Sequence, residues 1–266
     1  MTTVDLGMPR MGFFTDTTVC IGCKACEVAC KEWNAVPSKP LNLTGESFDN
    51  TSGLTADSWR HVAFIEKSVP APGGDGAKDV KWLMSSDVCK HCTHAACLDV
   101  CPTGSLFRTE FGTVVVQQDI CNGCGYCVSA CPYGVIDQRE DDGRVFKCTM
   151  CYDRIGDGGE PACAKACPTD SIQYGELDLL RDKASRRVAE LHAQGLTDAR
   201  LYGESPDDGV GGTGAFFLLL DEPETYGLPP DPVVTTRDLP GMWRRTAVAA
   251  ATLLAGVAVS FAGARR

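Results

Sequence analysis

The chain has 266 residues, 16 of them cysteine, with 44 % hydrophobic and 23 % charged residues and a formal net charge of −10. That balance belongs to a folded protein and excludes wholesale disorder. The negative charge argues against nucleic acid and anionic lipid headgroups as partners.

In chain order, residues 1–15 lack a charged segment followed by an apolar one, so no secretion signal is expected. Cysteines then come in four groups of four, with none left over. Group I is Cys20, Cys23, Cys26 and Cys30. Group II is Cys89, Cys92, Cys97 and Cys101. Group III is Cys121, Cys124, Cys127 and Cys131. Group IV is Cys148, Cys151, Cys163 and Cys167. Groups I and III read C-x2-C-x2-C-x3-C; group II widens the second gap to four residues and group IV to eleven. Pro102, Pro132 and Pro168 follow the last cysteine of three groups, and Lys31 takes that place in group I.

This spacing is that of bacterial [4Fe–4S] ligation. Three thiolates on one tight loop wrap three corners of a cube, and a helical turn carries the fourth toward a second cluster. Zinc takes two thiolates from a loop and two from elsewhere, which leaves the third surplus. Disulfides between cysteines three residues apart are strained. The stretches CPTGSL, CPYGVI and CPTDSI repeat a turn leading into a short strand, and Phe111-Gly112 and Asp141-Asp142-Gly143 read as hairpin turns. Strand, turn and strand with a cysteine loop and a short helix make half of a two-cluster ferredoxin. If each fourth cysteine crosses to a partner cluster, spacing allows group III to pair with II or with IV. Group I is remote from all of them. Pairing II with III would leave I with IV as a second unit into which the first is inserted.

Between groups I and II, residues 59–66 alternate as a strand, 70–74 form a loop, and 80–84 offer a returning strand. The whole of 32–86 reads as a cover over cluster loops and a docking surface. Residues 177–194 read as an amphipathic helix with Leu177, Leu180, Ala184, Val188 and Leu191 on one face and Gly195 as its cap. Residues 215–220 read as a buried strand. His91 and His94 are expected behind the ligands or at the surface, since four cysteines already complete group II. Lys24, Lys90, Lys147 and Lys165 read either as solvated charges or as cations that favour an added electron. Residues 246–264 are 19 uncharged residues bracketed by Arg244-Arg245 and Arg265-Arg266, with Trp243 alongside. At 1.5 Å per residue they span about 28 Å, close to a bilayer core. The symmetric arginines assign no orientation to this span.

The motifs CIGCKACEVACKEWN, CKHCTHAACLDVCP, CNGCGYCVSACP and KCTMCYDRIGDGGEPACAKACP resemble the four-cluster electron-transfer subunits of molybdopterin oxidoreductases. The resemblance is closest to the iron–sulfur (beta) subunits of membrane-associated formate dehydrogenases. MGFFTDTTVC, GVGGTGAFFLLL and ETYGLPPDP extend it over residues 11–262. It implies four [4Fe–4S] clusters with groups I and IV, and II and III, paired. Cys20, Cys23, Cys26 and Cys167 would hold the first; Cys30, Cys148, Cys151 and Cys163 the second. Cys89, Cys92, Cys97 and Cys131 would hold the third; Cys101, Cys121, Cys124 and Cys127 the fourth.

The fold expected is α+β: two intertwined two-cluster ferredoxin-like units, an insertion and a C-terminal helix. Residues 11–31 and 147–176 would form the first unit, 32–86 the insertion and 87–146 the second unit. Residues 177–242 would be an extension and 243–266 a membrane anchor. The chain is expected to have no catalytic residue of its own. It would carry electrons from a molybdenum or tungsten pterin subunit to a cytochrome b or quinone-linked membrane subunit, at the cell membrane. The alternatives are the same role beside a dimethyl sulfoxide, polysulfide or tetrathionate reductase or a hydrogenase, a freely diffusing polyferredoxin, and a structural zinc protein.

Overall fold

The apolar run Met11–Asp16 forms the first strand, β1. It shows two adjacent phenylalanines instead of an apolar–polar alternation because both its faces are covered. Phe13 packs with Cys26, Met150 and Cys163, while Phe14 packs with Leu177, Leu180 and Ala184 on the other side. The structure is a computed structural model and describes residues 8–38, 45, 48–49, 51–70 and 78–263. Residues 1–7 of the segment read for a secretion signal therefore lie outside the described residues.

Helix α1 (Ala25–Trp33) follows the first cysteine loop. Strands β2 (Arg60–Pro70) and β3 (Lys78–Val88) then pair antiparallel from Arg60↔Val88 to Pro70↔Lys78. The strands expected over 59–66 and 80–84 are thus two arms of a longer ribbon. Pro70 ends β2, and the remainder of the loop expected at 70–74 lies outside the described residues.

The middle of the chain consists of very short elements between cysteine loops. They are α2 (Ala96–Asp99), β4 (Leu106–Arg108), β5 (Val114–Val116), α3 (Tyr126–Ala130), β6 (Asp137–Gln138), β7 (Val145–Phe146), α4 (Tyr152–Gly156) and α5 (Ala162–Lys165). β4–β5 and β6–β7 are hairpins at the two expected turns. Beneath them Leu106, Val114, Val116, Ile136 and Val145 form one small apolar core.

After the last Cys-Pro step come β8 (Ile172–Glu176), α6 (Leu177–Ala193), β9 (Arg200–Tyr202) and β10 (Ala215–Leu219). With β1 they make a four-stranded sheet in the order β8-β1-β10-β9. β1 lies parallel to β10 and antiparallel to β8. This pairing is what positions the site: β1 leads into Cys20, and β8 begins just after Cys167. Thr15 faces Ile172 across the ladder, and Asp16 N–H donates to Ser171 O at 2.8 Å.

Helix α6 buries Leu177, Leu180, Ala184 and Leu191 on the sheet, the stripe its periodicity predicts. It ends as expected near Gly195, whose φ is +87°. Gly195 N–H donates to His192 O and Leu196 N–H to Leu191 O, both at 2.9 Å, satisfying the last carbonyls.

The chain divides into two compact units, Met1–Val234 and Thr235–Arg266. Within the second, α7 (Leu239–Gly263) is a helix of 25 residues, long and apolar enough to cross a membrane, and its described side chains are exposed. Its hydroxyls turn back onto the helix. Thr246 donates to Met242 O at 2.9 Å, Thr252 to Val248 O at 3.0 Å and Ser260 to Gly256 O at 2.9 Å. The last residue of the span expected over 246–264, with Arg265 and Arg266, lies outside the described residues.

Candidate functional site

The four cysteine loops share one backbone feature. The residue just before the second cysteine of each group is left-handed: Gly22 at φ +66°, His91 at +46°, Gly123 at +70° and Met150 at +57°. A left-handed residue in a tight loop turns successive N–H groups toward one concave side, the geometry that receives anions and iron–sulfur centres. Three further left-handed residues, Gly104, Gly134 and Asp170, close the Cys-Pro turns after groups II, III and IV. Gly22 also has no room for a side chain. A Cβ there would lie 2.6 Å from Phe64 Cε1 and 2.9 Å from Met84 Sδ, on the β2–β3 ribbon.

The thiols gather into four neighbourhoods that mix the groups. Burial pushes the Cys20 thiol up, and the charges it meets are those of Cys26 and Cys167. Cys20, Cys23, Cys26 and Cys167 line one recess, of about 300 Å³, with Val62 and Ile172. Burial pushes Cys30 up to about 12, with Cys163 and Cys151 as its closest thiol neighbours. Cys148 is pushed up by burial and by Cys30. Burial likewise raises Cys92, beside Cys89, Cys97 and Cys131, and takes Cys97 to about 12. Those four thiols line a second recess of about 370 Å³, with Ala95, Val135 and Ile136. Cys127, pushed up to about 11 by burial, faces Cys101, Cys121 and Cys124. Cys101 alone moves down: burial opposes the shift, but N–H groups of Leu106, Thr103 and Ser105 and the Thr103 hydroxyl outweigh it.

Some thiols also feel the charge of a neighbouring set: Cys26 that of Cys163, Cys30 that of Cys26, Cys148 that of Cys89, and Cys97 that of Cys127. Among the described residues, no three His, Cys, Asp or Glu side chains converge on a point as they would around a single ion.

Cations reach the same region from several elements. Arg60, at the start of β2, is 2 % exposed. Burial alone would lower its pKa, yet the charges of Cys163, Cys26, Cys148 and Cys30 hold it raised. Composition and spacing do not single this arginine out, although period-two alternation sets it on one strand face with Val62 and Phe64. Lys90 and Lys147 are not solvated charges: each is 1 % exposed. Lys90 Nζ donates to Val88 O at 2.8 Å, pairs with Asp87, and sits 4.9 Å from the Phe217 ring centre. Lys147 Nζ donates to Cys148 O at 2.9 Å and to Val114 O. A buried ammonium needs such acceptors. Lys165 is exposed, and Lys24 pairs with Glu27 at 3.2 Å. His91 is buried, with Nδ1 accepting from Val114 N–H at 3.1 Å; burial and Lys147 hold its pKa far down, so it stays neutral. His94 is half-buried and lies against Gly211.

The β2–β3 ribbon also belongs to the wall of the first recess, which Val62 and Ser86 line. Ser86 Oγ lies 3.2 Å from Cys26 Sγ. The ribbon thus forms part of the wall around these thiols.

Two families, each described as a 4Fe-4S dicluster domain, match residues 80–177 and 19–105. The formate dehydrogenase-O iron-sulfur subunit of Escherichia coli (strain K12) is 40 % identical over 250 residues, covering 91 % of this chain and 80 % of that protein. The formate dehydrogenase iron-sulfur subunit of Haemophilus influenzae is 40 % identical over 223 residues, 82 % of this chain and 68 % of that protein. The B subunit of the anaerobic dimethyl sulfoxide reductase of Escherichia coli (strain K12) is 38 % identical over 175 residues, 65 % of this chain and 77 % of its own length. Two dicluster domains and sixteen cysteines correspond to four [4Fe–4S] clusters.

Proposed function

Because this protein belongs to the family of formate dehydrogenase iron–sulfur subunits, we propose that it carries electrons from a molybdenum or tungsten pterin subunit that oxidises formate. They leave to a membrane cytochrome b or quinone-linked subunit. Bound to this chain, [4Fe–4S] clusters supply one-electron uptake and release. The residues that hold them are, in order, Cys20, Cys23, Cys26 and Cys167; Cys30, Cys148, Cys151 and Cys163; Cys89, Cys92, Cys97 and Cys131; and Cys101, Cys121, Cys124 and Cys127.

The observation that carries this reading is the mixing of groups in the thiol neighbourhoods. Cys167 joins group I, Cys30 joins group IV, Cys131 joins group II and Cys101 joins group III. The β1–β8 ladder accounts for the first exchange by drawing the end of β1 and the start of β8 to one end of the sheet. The electrostatic pairs Cys26–Cys163, Cys148–Cys89 and Cys97–Cys127 support an order of the four sets in a row. The fold is then two intertwined ferredoxin-like units, 11–31 with 147–176 and 87–146. Residues 32–86 form the insertion and 177–242 the extension, which brings in β10. Residues 243–266, within α7 and just beyond it, anchor the chain in the cell membrane. The back-bonded hydroxyls of Thr246, Thr252 and Ser260 support that last step, since they leave no unsatisfied hydroxyl donor for lipid.

A dimethyl sulfoxide reductase-type role is the second reading. Coverage favours formate dehydrogenase, at 91 % of this chain against 65 %. Iron and acid-labile sulfide analysis of the purified complex tests the core claim, at about 16 of each per chain. Formate-to-dye activity with a co-purifying large subunit tests the partner. Stoichiometric zinc without sulfide would overturn the whole reading.

A further inference from the structure

Arg60 is a buried cation whose partners in the protein do not account for it. Its Nη1 donates to Ser86 O at 3.3 Å and to Ser86 Oγ at 3.0 Å. Its Nε and Nη2 are buried with no partner at hydrogen-bond distance, although the Cys163 sulfur is near enough to be held down by the guanidinium as a hydrogen-bond partner. The guanidinium carbon lies 5.0 Å from the centre of the Phe13 ring, which closes one face. The charges it meets are sulfurs from two of the neighbourhoods: Cys163, Cys148 and Cys30 of one, and Cys26 of the other. A guanidinium stripped of water and given no carboxylate is costly unless an anion compensates it.

We propose that Arg60 is a positioning residue for electron transfer, a fixed cation set between the sulfur cages of groups I and IV that raises the reduction potential of the clusters they hold. The inference rests on the cysteine assignment above. Each oxidised cluster with four thiolates is a dianion and becomes a trianion on taking up an electron. A permanent positive charge in a dry site stabilises the trianion more, so reduction becomes easier. The two donors left over on Nε and Nη2 supply hydrogen bonds to sulfur, which act in the same direction. Ser86 holds the fork in place and reaches Cys26 Sγ with the same hydroxyl.

The test is an EPR-monitored redox titration of the intact complex carrying Arg60→Gln or Arg60→Lys. With Gln, the midpoint of at least one cluster of groups I and IV falls by about tenfold in its one-electron reduction constant, about 59 mV. The clusters of groups II and III stay where they were, and Lys restores most of the loss. Unchanged midpoints at full iron content, or an equal shift of all four, overturn the proposal. If the Gln complex loses iron, native complex labelled with 15N-arginine decides. A 15N coupling on a reduced cluster that vanishes in Arg60→Lys supports the proposal, and no coupling in the native complex overturns it. A native complex with far fewer than about 16 iron per chain fails the cluster reading itself, a distinct result.

Discussion

At the scale of single residues, the proposed crossing of each fourth cysteine to a partner cluster has the sharpest consequence. Cys26 and Cys30 lie one turn apart on α1 and both neighbour Cys163, yet only Cys26 lines the recess of Cys20, Cys23 and Cys167, while Cys30 also meets Cys151. Cys30→Ser is therefore expected to damage the cluster of Cys148, Cys151 and Cys163 and to spare that of Cys20, Cys23 and Cys26. Iron analysis and EPR of the reduced complex read this directly; a loss confined to the Cys20 set would refute the crossover. The four cysteine groups were legible because their spacing is local, with three cysteines in seven residues in groups I and III. Arg60, Lys90 and Lys147 were not legible as buried groups. Burial is decided by distant segments, such as Phe13 beneath Arg60 and Phe217 and Tyr133 around Lys90. A charge beside a cysteine in sequence carries no mark of that cover.

At the scale of elements, the loops and the ribbon constrain each other. Gly22 has a left-handed φ and a Cβ position occupied by Phe64 and Met84, whereas Gly134 has a similar φ of +62° and open space. Both Gly→Ala changes meet the left-handed penalty of about 1 kcal/mol. Only Gly22→Ala adds overpacking, about 1–3 kcal/mol more. The temperature at which the visible cluster absorption is lost should fall modestly for Gly134→Ala and clearly further for Gly22→Ala; equal falls would show that the ribbon does not press on the loop. Helix α6 and the two short hairpins were legible from period and turn chemistry. β1 was missed as a strand for a physical reason: covered on both faces, it shows no alternation. Its parallel partner β10 lies some two hundred residues away, with no turn between them to announce the pair.

At the scale of the whole molecule, the ligands and the apolar helix are separate in the chain. The last cysteine is Cys167, and α7 begins at Leu239, so no cluster ligand lies within or beyond that helix. Removal of residues 243–266 should leave the iron content intact and release the complex from membranes. At 1.5 Å per residue the 25 residues of α7 reach about 37 Å, enough to cross a bilayer core of about 30 Å even when tilted. Its three hydroxyls already have acceptors within the helix. Formate-to-dye electron flow should persist in the truncated complex, because group I, the ribbon and every ligand remain. Formate-to-quinone flow should fall, because the membrane partner is no longer held. Fractionation with the two assays separates the outcomes: a full-length complex that is already soluble, or a truncation that abolishes the dye assay, would make α7 part of the protein's own packing and end its role as an anchor.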